Sequence, residues 1–282
     1  MNRATKTIVS KMKNSSDFSA RIPASVYSLS QAVAILMAAV SLAGLLFQST
    51  LYPTEALRRA FFANDLVNLL IGLPILLGSR WLTRRNSLVG LLFWPGALFY
   101  VTYNYVAYAA ALIAVPQTVF YLALAVLSVF TIFRLLSSVD AVAVSAKLAG
   151  SVPERLGGGI LVGLGALFFI QAIAQIIFIL SGQPAPEGAT VPTLVADLVT
   201  TPAWIAGGIL LWRKQPLGYL SGLGLLFQAS MLFIGLLIFF ILQPLLYPVS
   251  FPLSDFVVIL VMGMVCFIPF GLFLRGVLAK KD

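Results

Sequence analysis

Histidine is absent from the 282 residues, and cysteine occurs once, as Cys266. Without histidine there is no Ser-His or Cys-His nucleophile pair, no HExxH zinc site and no imidazole ligand for haem. A single cysteine permits neither an internal disulfide nor a cysteine metal cage. No phosphate-binding glycine loop or dinucleotide fingerprint is present either, so no cofactor and no metal are expected. Charge is scarce too: 10% of residues carry one, against about 25% in a soluble domain. Together these absences argue against an enzyme.

The chain is instead 60% hydrophobic. About 20 apolar residues in helical form are needed to cross the roughly 30 Å core of a bilayer. Eight runs meet that length, at 25–48, 61–82, 87–110, 115–136, 157–180, 191–212, 217–243 and 253–277. In lipid the backbone must satisfy its own hydrogen bonds, which makes helices of all eight. The alternating pattern of a membrane β-barrel is missing. The expected fold is therefore all-α and polytopic, with eight transmembrane helices and the lipid bilayer as first partner.

A net charge of +9 invites a nucleic-acid reading, which the placement of the charges rejects. All but Arg58 and Arg59 of the 18 basic residues precede span one or lie at or just beyond the ends of spans two, four, six and eight. By the positive-inside rule both termini are cytoplasmic. The first apolar run lacks a cleavage site for a secretory signal. Short loops and the lack of targeting signals point to a prokaryotic cytoplasmic membrane.

Acids are rare enough for their spacing to carry information. Glu55 is followed ten residues later by Asp65-Leu66-Val67, and Glu187 ten residues later by Asp197-Leu198-Val199. The same offset of 132 relates Leu88 to Leu220, Gly90 to Gly222, Ala97 to Ala229 and Pro116 to Pro248. The expected organisation is a basic tail at 1–24, a four-helix repeat at 25–136, an interfacial linker at 137–156, a second four-helix repeat at 157–277 and a short end at 278–282. With four spans each, the repeats would be parallel, related by an axis along the membrane normal. In the linker, Val139, Val142 and Ala146 share a helical face, Gly150 marks a stop and Pro153 a break. Ser151 and Glu154 have capping-box spacing. Thr54 is placed to cap the second span, and Glu55 to pair with Arg58 or Arg59. Gly159 with Gly163, and Gly218 with Gly222, have the spacing of close helix contacts.

Asp65 shares a helical face with Asn68, and Asp197 with Thr200 and Thr201. An acid inside a span costs about 2.5–3.5 kcal/mol on insertion scales, so it normally faces protein or water. Tyr100, Tyr103, Asn104 and Tyr108 follow one another along one face of span three, and Gln171, Gln175, Gln228 and Ser230 lie at similar depth. The candidate ligand-binding set is Asp65, Asn68, Tyr100, Tyr103, Asn104, Asp197, Thr200 and Gln228, converging at the repeat interface. Carboxylates beside phenols and amides suit a small cation, an amine or a polyol. Each residue also has a structural reading, as helix cap, interhelical glue or headgroup anchor, and Asp255 reads most simply as a helix-start acid. The Tyr-Asp and Gly-x-Gly-Asp motifs of intramembrane aspartyl proteases are absent. Two functions are expected from this pattern: solute or cation binding and transport, or an accessory, assembly or sensory role against another membrane protein.

Overall fold

The computed structural model describes residues 22–183 and 190–280. The basic residues Arg3 to Arg21, the Glu187 loop with Pro184, Pro186 and Gly188, and Lys281 lie outside the described residues.

Eight long helices and two short ones are found among the described residues: α1 (Ala24–Leu46), followed by the single turn Gln48–Leu51, α2 (Glu55–Arg84), α3 (Leu88–Ala111), α4 (Thr118–Ser138), the short α5 (Ala141–Leu148), α6 (Glu154–Leu180), α7 (Thr190–Trp212), α8 (Pro216–Leu246) and α9 (Leu253–Leu278). Seven of them are long and apolar enough to cross a membrane, the mark of a polytopic membrane protein. The exception is α3, whose Trp94, Pro95, Asn104 and four tyrosines lower its hydropathy. It is also the most thoroughly buried helix, packed against α2, α4, α7 and α8. Polar side chains are tolerated there because protein groups, not lipid, surround them. Large apolar side chains such as Ile113, Phe133 and Leu180 cover the outside.

Local chemistry sets the helix ends. The Thr54 hydroxyl accepts from Leu57 N, and Glu55 pairs with Arg59 one turn on. Asp140 caps α5 by accepting from the amides of Val142 and Ala143. Gly150 adopts φ +72° beyond α5, a conformation with little cost for glycine alone, and α6 starts directly after Pro153. Two expectations for this linker are corrected. Val139 is extended and precedes α5, so it does not share a helical face with Val142 and Ala146; the residues α5 buries are Val144 and Leu148. Ser151 caps nothing by its side chain: the Glu154 carboxylate reaches back to Gly150 N and accepts from Tyr219 Oη, both at 2.9 Å, tying α6 to α8.

Within α2, residues Asn68–Gly72 form a wide π-helical turn. Pro74 follows; it cannot donate to the Leu70 carbonyl and its ring crowds that turn, which is relieved by widening.

Helices α1–α4 pack in a ring, each against its chain neighbours and α1 against α4; α6–α9 do the same, with α9 against α6. The two quartets meet chiefly along α3 and α8. A Cβ on Gly96 would lie 2.4 Å from Gly224 Cα, so paired glycines allow backbone contact there. Of the glycines spaced for packing, Gly163 faces open space, and Gly158 instead lies against the Gly208 backbone. The quartets differ in tightness at the end opposite the basic loops. There α6 has no buried residue beyond Ala172, and α9 none before Gly263. In the first quartet, burial extends to Gly44 of α1 and Thr118 of α4.

Candidate functional site

A cavity of about 850 Å³ opens between the quartets in the half away from the basic loops. Helix α3 contributes Tyr100, Tyr103, Asn104 and Ala107; α2 contributes Glu55, Arg59 and Asn64; α7 contributes Thr193 and Asp197. Phe168 of α6 and the run from Met231 to Gln243 of α8 form the opposite wall. Its size is that of a site for one small organic ligand.

Asp197 is partly buried, and its Oδ1 accepts a hydrogen bond from Tyr103 Oη at 3.0 Å. No other donor to its carboxylate is found among the described residues. Arg59, the cation in the cavity wall, is engaged twice: it pairs with Glu55, and its guanidinium lies 4.5 Å from the Tyr247 ring centre. Arg59 makes no ion pair with Asp197.

Asp65 does not line this cavity. It is 1% exposed and sits in a closed box of hydroxyls. Tyr52 Oη donates to its Oδ2 at 2.6 Å and Tyr108 Oη to its Oδ1 at 2.9 Å. Gly44 of α1 makes room, since a Cβ there would fall 2.0 Å from Oδ2 and 2.3 Å from the Tyr52 hydroxyl. Tyr52, in the loop before α2, is fully buried; burial, then the neighbouring Asp65 carboxylate, raises its phenol far above its usual range, so it remains a donor. Stacked Phe61 and Tyr108 seal the box, with Tyr105 and Tyr121 behind them.

The remaining predicted residues divide between these two places. Asn68 is fully buried in the π-helical turn; it donates to Ser41 Oγ at 3.4 Å and accepts from Tyr100 Oη at 2.9 Å. Tyr100 thus connects the cavity wall to the polar network around Asp65. Asn104 donates to the Tyr100 carbonyl at 2.9 Å and also reaches the cavity. Thr200 is buried outside the cavity and gives its hydroxyl to the Ala196 carbonyl, so its bond belongs to its own helix. Gln228, likewise fully buried outside the cavity, accepts from the Trp204 indole. The expected stripe on α3 is split: Tyr100 and Tyr108 serve α2, while Tyr103 serves α7. The acids do not share one pocket; each is held by a phenol on a different side of α3.

Sequence reasoning missed Tyr52, Ser41 and Gly44 at Asp65, and Phe168, Phe233 and Leu236 in the cavity. Tyr52 lies in a loop 13 residues before its partner, and the others resemble ordinary helix-packing residues; no local pattern distinguishes them. No protein-family model, curated protein or solved structure matches this chain.

Proposed function

We propose that this protein binds a small organic cation in the α2–α3–α7–α8 cavity and carries it across a prokaryotic cytoplasmic membrane, with both termini in the cytoplasm. Asp197 supplies the counter-charge; Tyr103 orients that carboxylate, and Tyr100, Asn64 and Asn104 offer hydrogen bonds or a ring face. The observation that carries this reading is a carboxylate with one phenolic donor, exposed to a cavity whose arginine is already paired. Such a group attracts a cation because the alternative is an incompletely solvated charge in a low-dielectric site.

Asp65 acts in this scheme through position. Its hydroxyl box fixes α1, α2 and α3 together, and the Asn68–Tyr100 bond passes that order to the cavity wall. The cavity lies on the side away from the basic loops, hence externally under the positive-inside rule. Towards the basic loops, α3 and α8 close with Leu91, Leu92, Leu220 and Leu223, all buried. This arrangement corresponds to an outward-open state. Rocking of one quartet against the other about the Gly96–Gly224 contact would expose the site to the other side.

The matched helix order favours a tandem origin for the quartets. Both form rings by the same neighbour contacts, and the crossed contacts α3–α7 and α8–α2 exchange equivalent helices. An accessory role has one observation in its favour: Gln171 is exposed on the lipid-facing side of α6, where an amide would gain from a partner in another membrane protein.

The test is thermal unfolding of the purified protein with a panel of monovalent organic ammonium ions at millimolar concentration. Stabilisation is expected in wild type and in Asp255→Asn, whose acid lies in the exposed first turn of α9, and is expected to disappear in Asp197→Asn. An identical response from wild type and Asp197→Asn would remove the proposed binding role.

A further inference from the structure

Resting on that cation-binding reading, we propose that the ligand is an amphiphile: a monovalent amine with an aromatic or branched apolar body, which reaches the cavity from the lipid side. The lining is divided in two. Most polar lining groups come from α2, α3 and α7, with Tyr103 on the Asp197 carboxylate. Apart from Gln243 at its end, the α6–α8 wall is apolar, built from Phe168 of α6 with Leu232, Phe233, Leu236 and Phe239 of α8. A fully hydrated cation would neutralise Asp197 but leave this wall facing water. An amphiphile satisfies both, its ammonium at the carboxylate and its body against the phenylalanines.

An inorganic ion fits less well. Hard cations such as calcium require about six to eight oxygen ligands, and the described residues contain no group of three acidic, cysteine or histidine side chains able to hold a metal. The volume of about 850 Å³ also exceeds what one small ion needs.

The route follows from packing. Leu236 of α8 lines the cavity and is 42% exposed. Beside it, the outer part of α9 and the end of α6 contain no buried residue. In this proposal the amphiphile enters through that sparsely packed side, between α8 and the loose ends of α6 and α9, without exposing its body to water.

The experiment uses the full chain in lipid nanodiscs, with empty nanodiscs as blank, and measures binding calorimetrically. The probes are 4-phenylbutylamine, tetramethylammonium and 4-phenylbutyrate. Saturable binding of 4-phenylbutylamine is expected, roughly tenfold or more tighter than tetramethylammonium, with no binding of the carboxylate. Asp197→Asn should weaken both cations by about tenfold or more. Leu236→Asn, at a partly exposed position, should weaken 4-phenylbutylamine several-fold more than tetramethylammonium. Tyr103→Phe provides a second, nearly isosteric probe of the acid, and should weaken both cations in parallel.

Equal binding of the two cations, still sensitive to Asp197→Asn, would overturn the amphiphile proposal and leave cation binding standing. Binding of 4-phenylbutyrate as tight as that of the amine, indifferent to Asp197→Asn, would overturn both. So would no saturable binding of either cation.

Discussion

Around Asp65, two phenols occupy both carboxylate oxygens, a glycine admits the group against α1, and stacked rings exclude solvent. Around Asp197, one phenol holds one oxygen, and about 850 Å³ of cavity lies beside it. The two acids hold matching places in the sequence, yet the first quartet has closed over its acid and the second has not. The physical difference lies in the neighbours. Tyr52, Ser41 and Gly44 come from α1 and its loop, and α1 is packed along its length. The first helix of the second quartet, α6, buries nothing beyond Ala172. A buried acid with both oxygens satisfied contributes to stability; one left incompletely satisfied beside open space is available to a ligand.

The largest effect expected from disturbing this contrast comes from filling the sealed side. Gly44→Val would drive methyl groups into the Asp65 carboxylate and the Tyr52 hydroxyl, and should cost about 3 kcal/mol or prevent folding. Gly163→Val on α6, where a Cβ meets nothing within 4 Å, should change stability by less than about 1 kcal/mol. Denaturant unfolding in detergent micelles measures both; similar costs would mean that Asp65 is not tightly enclosed.

A smaller difference is expected between the two phenols. Tyr108→Phe leaves a buried carboxylate oxygen without its donor and should destabilise by about 1–3 kcal/mol. Tyr103→Phe, beside the cavity, should cost less than about 1 kcal/mol, because water can replace the lost hydrogen bond.

Accessibility gives the finest distinction and needs little change in stability. The native Cys266 is fully buried and provides a quiet background. Asn64→Cys, in the cavity wall, should react with a membrane-impermeant methanethiosulfonate at least about tenfold faster than Ser41→Cys beside the Asp65 box. Equal rates would show that water reaches both acids, and the contrast between the quartets would fail.

Several of these features are legible without coordinates. The apolar runs and the bilayer thickness lead to long helices, and Thr54, Gly150 and Pro153 mark helix boundaries as their chemistry requires. Asp65 and Asp197 stand out because acids inside such runs are costly. The tyrosines of span three are likewise visible as a stripe at helical spacing. Which neighbour each one serves is not, because that depends on the helix on either side of α3. Tyr100 and Tyr103 differ by three positions, near neighbours on a helical wheel, yet one turns to Asn68 of α2 and the other to Asp197 of α7. Thr200 has the correct spacing from Asp197 but gives its hydroxyl to the backbone of its own helix, a partner always within reach.

The sequence by itself determined that the chain is helical and lipid-embedded, since hydropathy and backbone hydrogen bonding act along the chain. It also marked both aspartates as exceptional, because placing charge in an apolar run has the same cost wherever the helix packs. Only the tertiary structure decided that one acid is enclosed and the other borders a cavity. That outcome depends on contacts from residues distant in sequence and on how closely each quartet packs at one end, and neither quantity is encoded in a local pattern.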